Sequence, residues 1–390
     1  MHRNSLFALY LTVFIDLLGF GIILPLLPFY AEHFGATGVW VGALMASYSA
    51  AQFLGAPLLG RLSDRFGRRP LLLLSLAGSA LSLTLSGLAS SLPMLIAARA
   101  LAGLFGGSIA TAQAYVADVT GVEERAKYMG LLGASIGMGF VFGPALGALL
   151  APFGFGAAAF ASAGLAAANF VFAALVLREP ARRAAPGRAS LAALGSAVRT
   201  PEIARIALSM FLSTLAFVAM EATFALLGEH RLGLDSGKLG LVFTFVGVVM
   251  VVMQGGVVGR LVPRLGERAL SVAGALLMAT GLFALPFAPR LSIALVMLAL
   301  LAGGQALFSP TITALLSKAA ARDRQGGTLG IGQSVSAAAR AVGPLLAGWL
   351  FDRSMLLPYA LGAAALLVSA SLMATLRTPA PQAVAAAAEG

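Results

Sequence analysis

The sequence predicts an all-α membrane protein: twelve transmembrane helices, folded as two six-helix bundles related by internal pseudo-symmetry. Three observations lead there. The 390 residues are 59% hydrophobic and only 11% charged, with a mean hydropathy of +0.93, whereas a soluble domain is roughly 45–50% apolar and about 25% charged. The apolar residues gather in runs close to the ~20 residues a helix needs to cross a ~30 Å hydrocarbon core. Finally, the phrase G-R-L-S-D-R-F-G-R-R at 60–69 returns as G-R-L-V-P-R-L-G-E-R at 259–268.

Twelve such runs lie at about 6–29, 38–59, 70–89, 92–115, 128–151, 154–177, 204–228, 238–259, 268–287, 291–317, 327–350 and 357–376. They must be helices, because lipid offers the backbone no hydrogen-bond partner. The first run ends at Pro25, Pro28 and Tyr30 without a small-residue cleavage site, so it reads as a retained helix and not a signal peptide. With the N-terminus placed inside, the cytoplasmic loops and termini hold 20 Lys and Arg residues. The outer loops hold four (Arg231, Lys238, Arg290, Arg353), and Arg99 and Arg340 lie within helices. Positive charge marks the cytoplasmic side, so both termini are expected there, in a multi-pass protein of the cell (inner) membrane. The net charge of +11 then records topology, helped by anionic lipid head groups, and gives no reason to expect nucleic acid. The chain has no cysteine, which excludes disulfides and thiol metal sites.

The repeat organises the chain. Besides the charged phrase, G-F-V-F-G-P-A-L-G-A at 139–148 is echoed by A-R-A-V-G-P-L-L-A-G at 339–348. An even number of helices between the copies makes this a parallel duplication about an axis along the membrane normal. The expected division is an N-terminal bundle over 1–177, a cytoplasmic linker over 178–203, a C-terminal bundle over 204–377 and a disordered Pro/Ala-rich tail over 378–390. The linker opens R-E-P-A-R-R-A-A-P-G-R, with the Pro, Gly and charge of a tether.

The motifs in order resemble the major facilitator superfamily, over essentially all of 6–377. They are the Asp-containing first segment ending L-P-L-L-P, L-I-A-A-R-A-L-A-G in segment 4, G-x-x-x-G-P-x-x-G in segment 5, and the charged phrase after segments 2 and 8. Segment 2 (Y-S-A-A-Q-F-L-G-A-P) and the Gly-Pro phrase are similar to drug/proton antiporters of the group that includes tetracycline efflux pumps. The resemblance implies secondary transport of a small molecule against protons. The proton gradient would be the energy source, there would be no cofactor, and a single duplicated chain would work as a monomer. Tetracycline pumps also carry acids in helices 3 and 9 and a histidine in helix 8. Those positions are uncharged here, so tetracycline is not inferred. Proton-coupled efflux of amphipathic drugs or metabolites is the expectation. Import of a sugar or organic acid by symport or facilitation is the alternative.

Four ionisable residues sit inside segments. Asp16 lies about 15 Å deep, at 1.5 Å per residue, where an ionised carboxylate costs on the order of 2.5–3.5 kcal/mol. It is either a proton carrier or a carboxyl bonded between helices. Glu221 is its counterpart in the second half, nearer the outer side: a second proton carrier, a site for a cationic substrate, or a carboxylate neutralised by Arg. Arg99 and Arg340 stay charged and need acids, carbonyls or water; two acids face two bases, in a pairing the sequence leaves open. By resemblance, Arg99 takes part in proton coupling. Gln52 and Gln254 are candidates for substrate hydrogen bonds or for helix-to-helix ties.

Gly60 and Gly67 suit a tight turn. The resemblance places Asp64 at the start of helix 11, near Gly326, Gly327 and Thr328, where free N–H groups favour an anion. Arg65, Arg68 and Arg125 would complete a cytoplasmic gate. Pro263 replaces the acid in the second copy, so that latch is one-sided. Gly139, Gly143 and Gly147 recur every four residues around Pro144, as a face for close helix contact. Gly343 and Pro344 repeat it. An ATP-driven pump is unsupported, since the chain has no G-x-x-x-x-G-K-[ST]. An enzyme is unsupported too: the histidines, His2, His33 and His230, stand at segment ends, and no metal site is expected.

Overall fold

Proline and glycine punctuate a chain that is otherwise almost continuously helical. The computed structural model describes residues 2–180, 200–319 and 325–376, so most of the expected linker and the whole expected tail lie outside the described residues. The first crossing is α1 (His2–Ile23) followed by α2 (Leu27–His33), broken around Pro25, with Pro28 in the first turn of α2. Then come α3 (Gly38–Phe66) and α4 (Arg68–Gly87). The fourth crossing, expected as one run, is two helices, α5 (Leu92–Leu104) and α6 (Ser108–Val119), interrupted at Phe105–Gly107. The first half ends with α7 (Val122–Leu150) and α8 (Gly154–Val176).

The second half runs α9 (Pro201–Leu232), α10 (Ser236–Val252), a π-helical stretch (Met253–Val258), and α11 (Gly259–Ala284). It closes with α12 (Leu291–Ala319), α13 (Gln325–Arg353) and α14 (Leu357–Ala374). Among the described residues, ten apolar stretches are long enough to cross a membrane; two of them, of 50 and 52 residues, double back at Gly154 (φ 85°) and Gly266 (φ 77°), which restores twelve crossings. A residue with a Cβ is strained at such a φ, so glycine marks each reversal.

Gly60, expected in a turn, lies inside α3; the reversal falls to Gly67 (φ 110°). The helix runs on past the apolar segment because nothing between 60 and 66 breaks it, which places Arg61, Asp64 and Arg65 on a helix and not in a loop.

Inside the first half, α1 packs on the glycine face of α7. A Cβ added at Gly139 would lie 2.7 Å from the Leu17 Cβ, and one at Gly143 would lie 2.7 Å from the Gly21 Cα. Gly147 meets the Ile22 carbonyl in the same way. Small residues let the two backbones come this close, which is how helices gain van der Waals contact in lipid.

Between the halves, two helix pairs related by the repeat touch. In α3–α13, Gly42 lies against the Pro344 carbonyl and Gly348 against that of Gly38. In α10–α7, a Cβ at Gly240 would lie 2.7 Å from the Pro144 carbonyl oxygen. All these contacts sit at the face the charge count assigns outside. Towards the other face the same helices part: Gly60 and Gly330, and Gly130, Gly133, Gly255 and Gly256, have nothing within 4 Å of an added Cβ. The seam between the halves is shut at the face the charge count assigns outside and spread at the other.

Candidate transport site and gates

Asp16, on α1, is half-buried and is held by two hydroxyls. Ser79 Oγ on α4 donates to Oδ1 (3.3 Å) and Ser108 Oγ, the first residue of α6, donates to Oδ2 (2.5 Å). The break in the fourth crossing is what delivers Ser108 to this position. Neither arginine pairs with Asp16 in the described residues.

Arg99 departs from expectation in the same way. It is buried at 2% exposure, yet no carboxylate lies within 4 Å among the described residues. Its guanidinium lies against two adjoining aromatic rings instead, 5.1 Å from the Phe20 centroid and 4.8 Å from that of Tyr48, and the two rings are 5.1 Å apart. Its Nε has no hydrogen-bond partner. A desolvated cation on an aromatic face gains about 2 kcal/mol, so two rings offset part of what a missing acid leaves uncompensated.

Glu221 on α9 and Arg340 on α13 are electrostatic neighbours within the second half, but they form no ion pair at 4 Å or less in the described residues. The expected two acids and two bases thus separate into Asp16 with serines, Arg99 with rings, and a loose Glu221–Arg340 neighbourhood. Tyr48 stands among them, within reach of the charges of Arg99, Asp16 and Arg340, and sequence reasoning missed it. Its one available signal was the Tyr48–Gln52 spacing, which places both on one helix face.

Gln52 Nε2 donates to the Gly106 carbonyl (2.7 Å) and lies 3.4 Å from the Tyr48 hydroxyl. It ties α3 to the carbonyl left open by the break between α5 and α6, the second of its two expected roles. Gln254 is exposed within the π-helical stretch, and Gly343 faces Leu215 and Val218 of α9.

At the end the charge count assigns to the cytoplasm, Arg68 is the hub. Its Nη1 donates to Asp64 Oδ1 (2.7 Å) and Ser63 Oγ (3.1 Å), and its Nε to Asp118 Oδ2 (2.8 Å). Glu179 accepts the Arg68 and Arg69 backbone N–H groups (2.6 and 2.9 Å), capping α4. Arg125 donates to the Ala117 carbonyl (3.2 Å), next to Asp118, the second acid that Arg68 holds. Arg65 lies over the Phe66 ring at 5.3 Å. Asp64 is bonded within its own half, in keeping with a seam that is spread at this end.

The opposite face carries a latch the sequence did not disclose. Asp352, at the end of α13, accepts the Gly38 N–H at Oδ1 (2.6 Å) and the Val39 N–H at Oδ2 (2.8 Å). These are orphan N–H groups of the first turn of α3, where an anion is favoured by the helix dipole. Position 152 in the first half is a proline, so the repeat gave no hint of it.

Two six-helix bundles that touch along one half of a seam and part along the other define an alternating-access membrane carrier. Comparisons with known proteins agree. The family profile of the Major Facilitator Superfamily matches residues 9–289 and 232–390. The chain is 33% identical over 360 residues to the tetracycline resistance protein, class C, of Escherichia coli, covering 90% of this chain and 91% of that one. It is 28% identical to multidrug resistance protein 2 of Bacillus subtilis (strain 168), covering 92% and 91%. Among solved structures, the human organic anion transporter MFSD10 (TETRAN) aligns with a TM-score of 0.71 at 26% identity, over 95% of this chain and 99% of that one. The nucleoside transporter NupG aligns at 0.79 with 13% identity, over 96% and 100%, which speaks for the fold alone. The chain belongs to the Major Facilitator Superfamily.

Proposed function

We propose that this protein exports amphipathic small molecules across the inner membrane in exchange for protons, working as a monomer with both termini in the cytoplasm. The observation that carries the reading is Asp16: a carboxyl deep in α1, bonded to two serine hydroxyls and to no arginine. An acid with a fixed cation beside it would stay ionised. One held by neutral hydroxyls is free to take up and release a proton as its surroundings change. The names of the relatives, tetracycline and multidrug resistance proteins, favour efflux over import. Lacking the acids and histidine of tetracycline pumps, this chain is read as taking other amphipathic substrates.

The test is proton flux in proteoliposomes with a lumenal pH dye, under an imposed pH gradient, against a panel of amphipathic cations and neutral drugs. A substrate that dissipates the gradient in the wild type, but not in Asp16→Asn or Glu221→Gln, supports the reading. Substrate moving with no proton would replace it with a facilitator.

A further inference from the structure

A groove of about 440 Å³ opens in the second half between α10, α11 and α12, with a wholly apolar wall that includes Phe245, Val249, Met253, Leu277, Val296 and Gly303. It is not part of the seam. α10 turns Gly240 and Gly247 to α7 of the first half. Phe245 and Val249 each stand two residues from Gly247, about 160–200° around a helix of 3.6 residues per turn. The groove therefore lies on the far side of α10, and Val296 in its wall is 55% exposed. At the end of the same crossing that the charge count assigns to the cytoplasm, Arg260 and Arg264 are exposed and lie four residues apart on α11, so they are neighbours on its surface. Neither has an acid within 4 Å among the described residues. The repeat explains why. In the first copy of the charged phrase, Arg68 gathers Asp64 and Asp118. In the second copy Pro263 stands for Asp64 and Glu267 for Arg68, and Glu267 is taken by Lys318 of α12.

One apolar surface joins groove and arginines. Met253 and Leu277 of the groove wall also pack with Leu261 and Val262, two of the three residues between the arginines. Arg260 is seven residues from Met253, about 10 Å of helical rise, which is within the ~15 Å of hydrocarbon that one leaflet supplies. We infer that an anionic phospholipid is seated here, its phosphate held by Arg260 and Arg264 and one acyl chain lying along Leu261 and Val262 into the groove. A guanidinium fork matches phosphate oxygens, and basic residues at this boundary attract anionic head groups. A free phosphate would leave the groove unfilled, and a neutral lipid would leave the arginines without a counter-charge. The site depends neither on the direction of transport nor on proton coupling.

The test titrates phosphatidylglycerol, phosphatidylcholine and glycerol phosphate against the purified full chain and reads the bound species by native mass spectrometry. Phosphatidylglycerol should be retained well above phosphatidylcholine, and glycerol phosphate should not be retained. Arg260→Gln and Arg264→Gln should each weaken phosphatidylglycerol about fivefold, and together about thirtyfold, while the double lysine variant should keep a good part of the binding. Val249→Trp and Val296→Trp fill the groove with both arginines intact, and each should also weaken the lipid several-fold. Two groove variants are used so that a poorly folded one leaves the other to decide; elution and melting temperature show which is sound. Equal retention of phosphatidylcholine would overturn the site, as would glycerol phosphate binding as tightly as the lipid. So would phosphatidylglycerol retention that ignores either the arginine pair or the filled groove.

Discussion

Asp352 and Gly38 lie 314 residues apart in sequence, yet the carboxylate of one accepts the backbone N–H of the other at 2.6 Å, across the boundary between the two bundles. With the Val39 bond beside it at 2.8 Å, one side chain fastens the start of α3 to the end of α13. Asp352→Asn keeps the shape, removes the charge and leaves one oxygen for two donors. A hydrogen bond to a charged group contributes about 1.5–3 kcal/mol, so the closed outer face should lose on the order of tenfold in population. Labelling of a cysteine introduced in the outer seam should speed up accordingly; unchanged labelling would show that the latch contributes nothing to closure.

Gly42 and Gly240 are repeat-related points where the halves touch, against the Pro344 and Pro144 carbonyls. Neither contact is internal to a bundle. Gly42→Val and Gly240→Val should therefore leave each bundle folded while driving the outer faces apart. We expect normal expression and elution, faster outer labelling, and a larger shift in the double variant than in either single one. Aggregation of both single variants would instead mean that the glycines are needed to build the bundles.

Arg99 depends on its flat guanidinium lying against two rings. Lysine keeps the charge but cannot stack as a plane. Arg99→Lys should fall well short of wild-type exchange, and Tyr48→Ala, which removes one face worth about 2 kcal/mol in a dry site, should resemble it. Tyr48→Phe keeps the face and should retain most activity. Full activity in Arg99→Lys, measured as initial exchange rate, would show that charge alone matters there.

Arg68 joins Asp64 and Asp118, with Arg68 and Asp118 side chains only 16% and 15% exposed. Removing the arginine strands a partly buried acid, which is costlier than removing both partners. In detergent, Arg68→Ala should lower thermal stability more than Arg68→Ala combined with Asp118→Asn. Additive losses would mean that the pair is not coupled.

Much of the architecture was legible beforehand because lipid imposes one rule on every crossing. Twelve runs, the duplication, and the close-packing role of Gly139, Gly143 and Gly147 all follow from local composition and spacing. The break at Phe105–Gly107 was not legible, because Gly106 and Gly107 sit in an apolar run that reads as continuous helix. Nor were the partners of Asp16 and Arg99. Arg99 finds aromatic rings from α1 and α3, and Asp16 finds serines from α4 and α6, residues so common in membrane helices that no pattern singles them out.

By itself the sequence determined which residues cross the membrane, how the chain divides into repeated halves, and which few charges must lie in lipid, because burial in hydrocarbon constrains each segment separately. Which face of the carrier is shut, and which contacts shut it, only the tertiary structure decided. Asp352 on Gly38 and Gly42 on the Pro344 carbonyl join residues from opposite halves, and such contacts exist in one arrangement of two rigid bundles and vanish in the other, while the sequence stays the same.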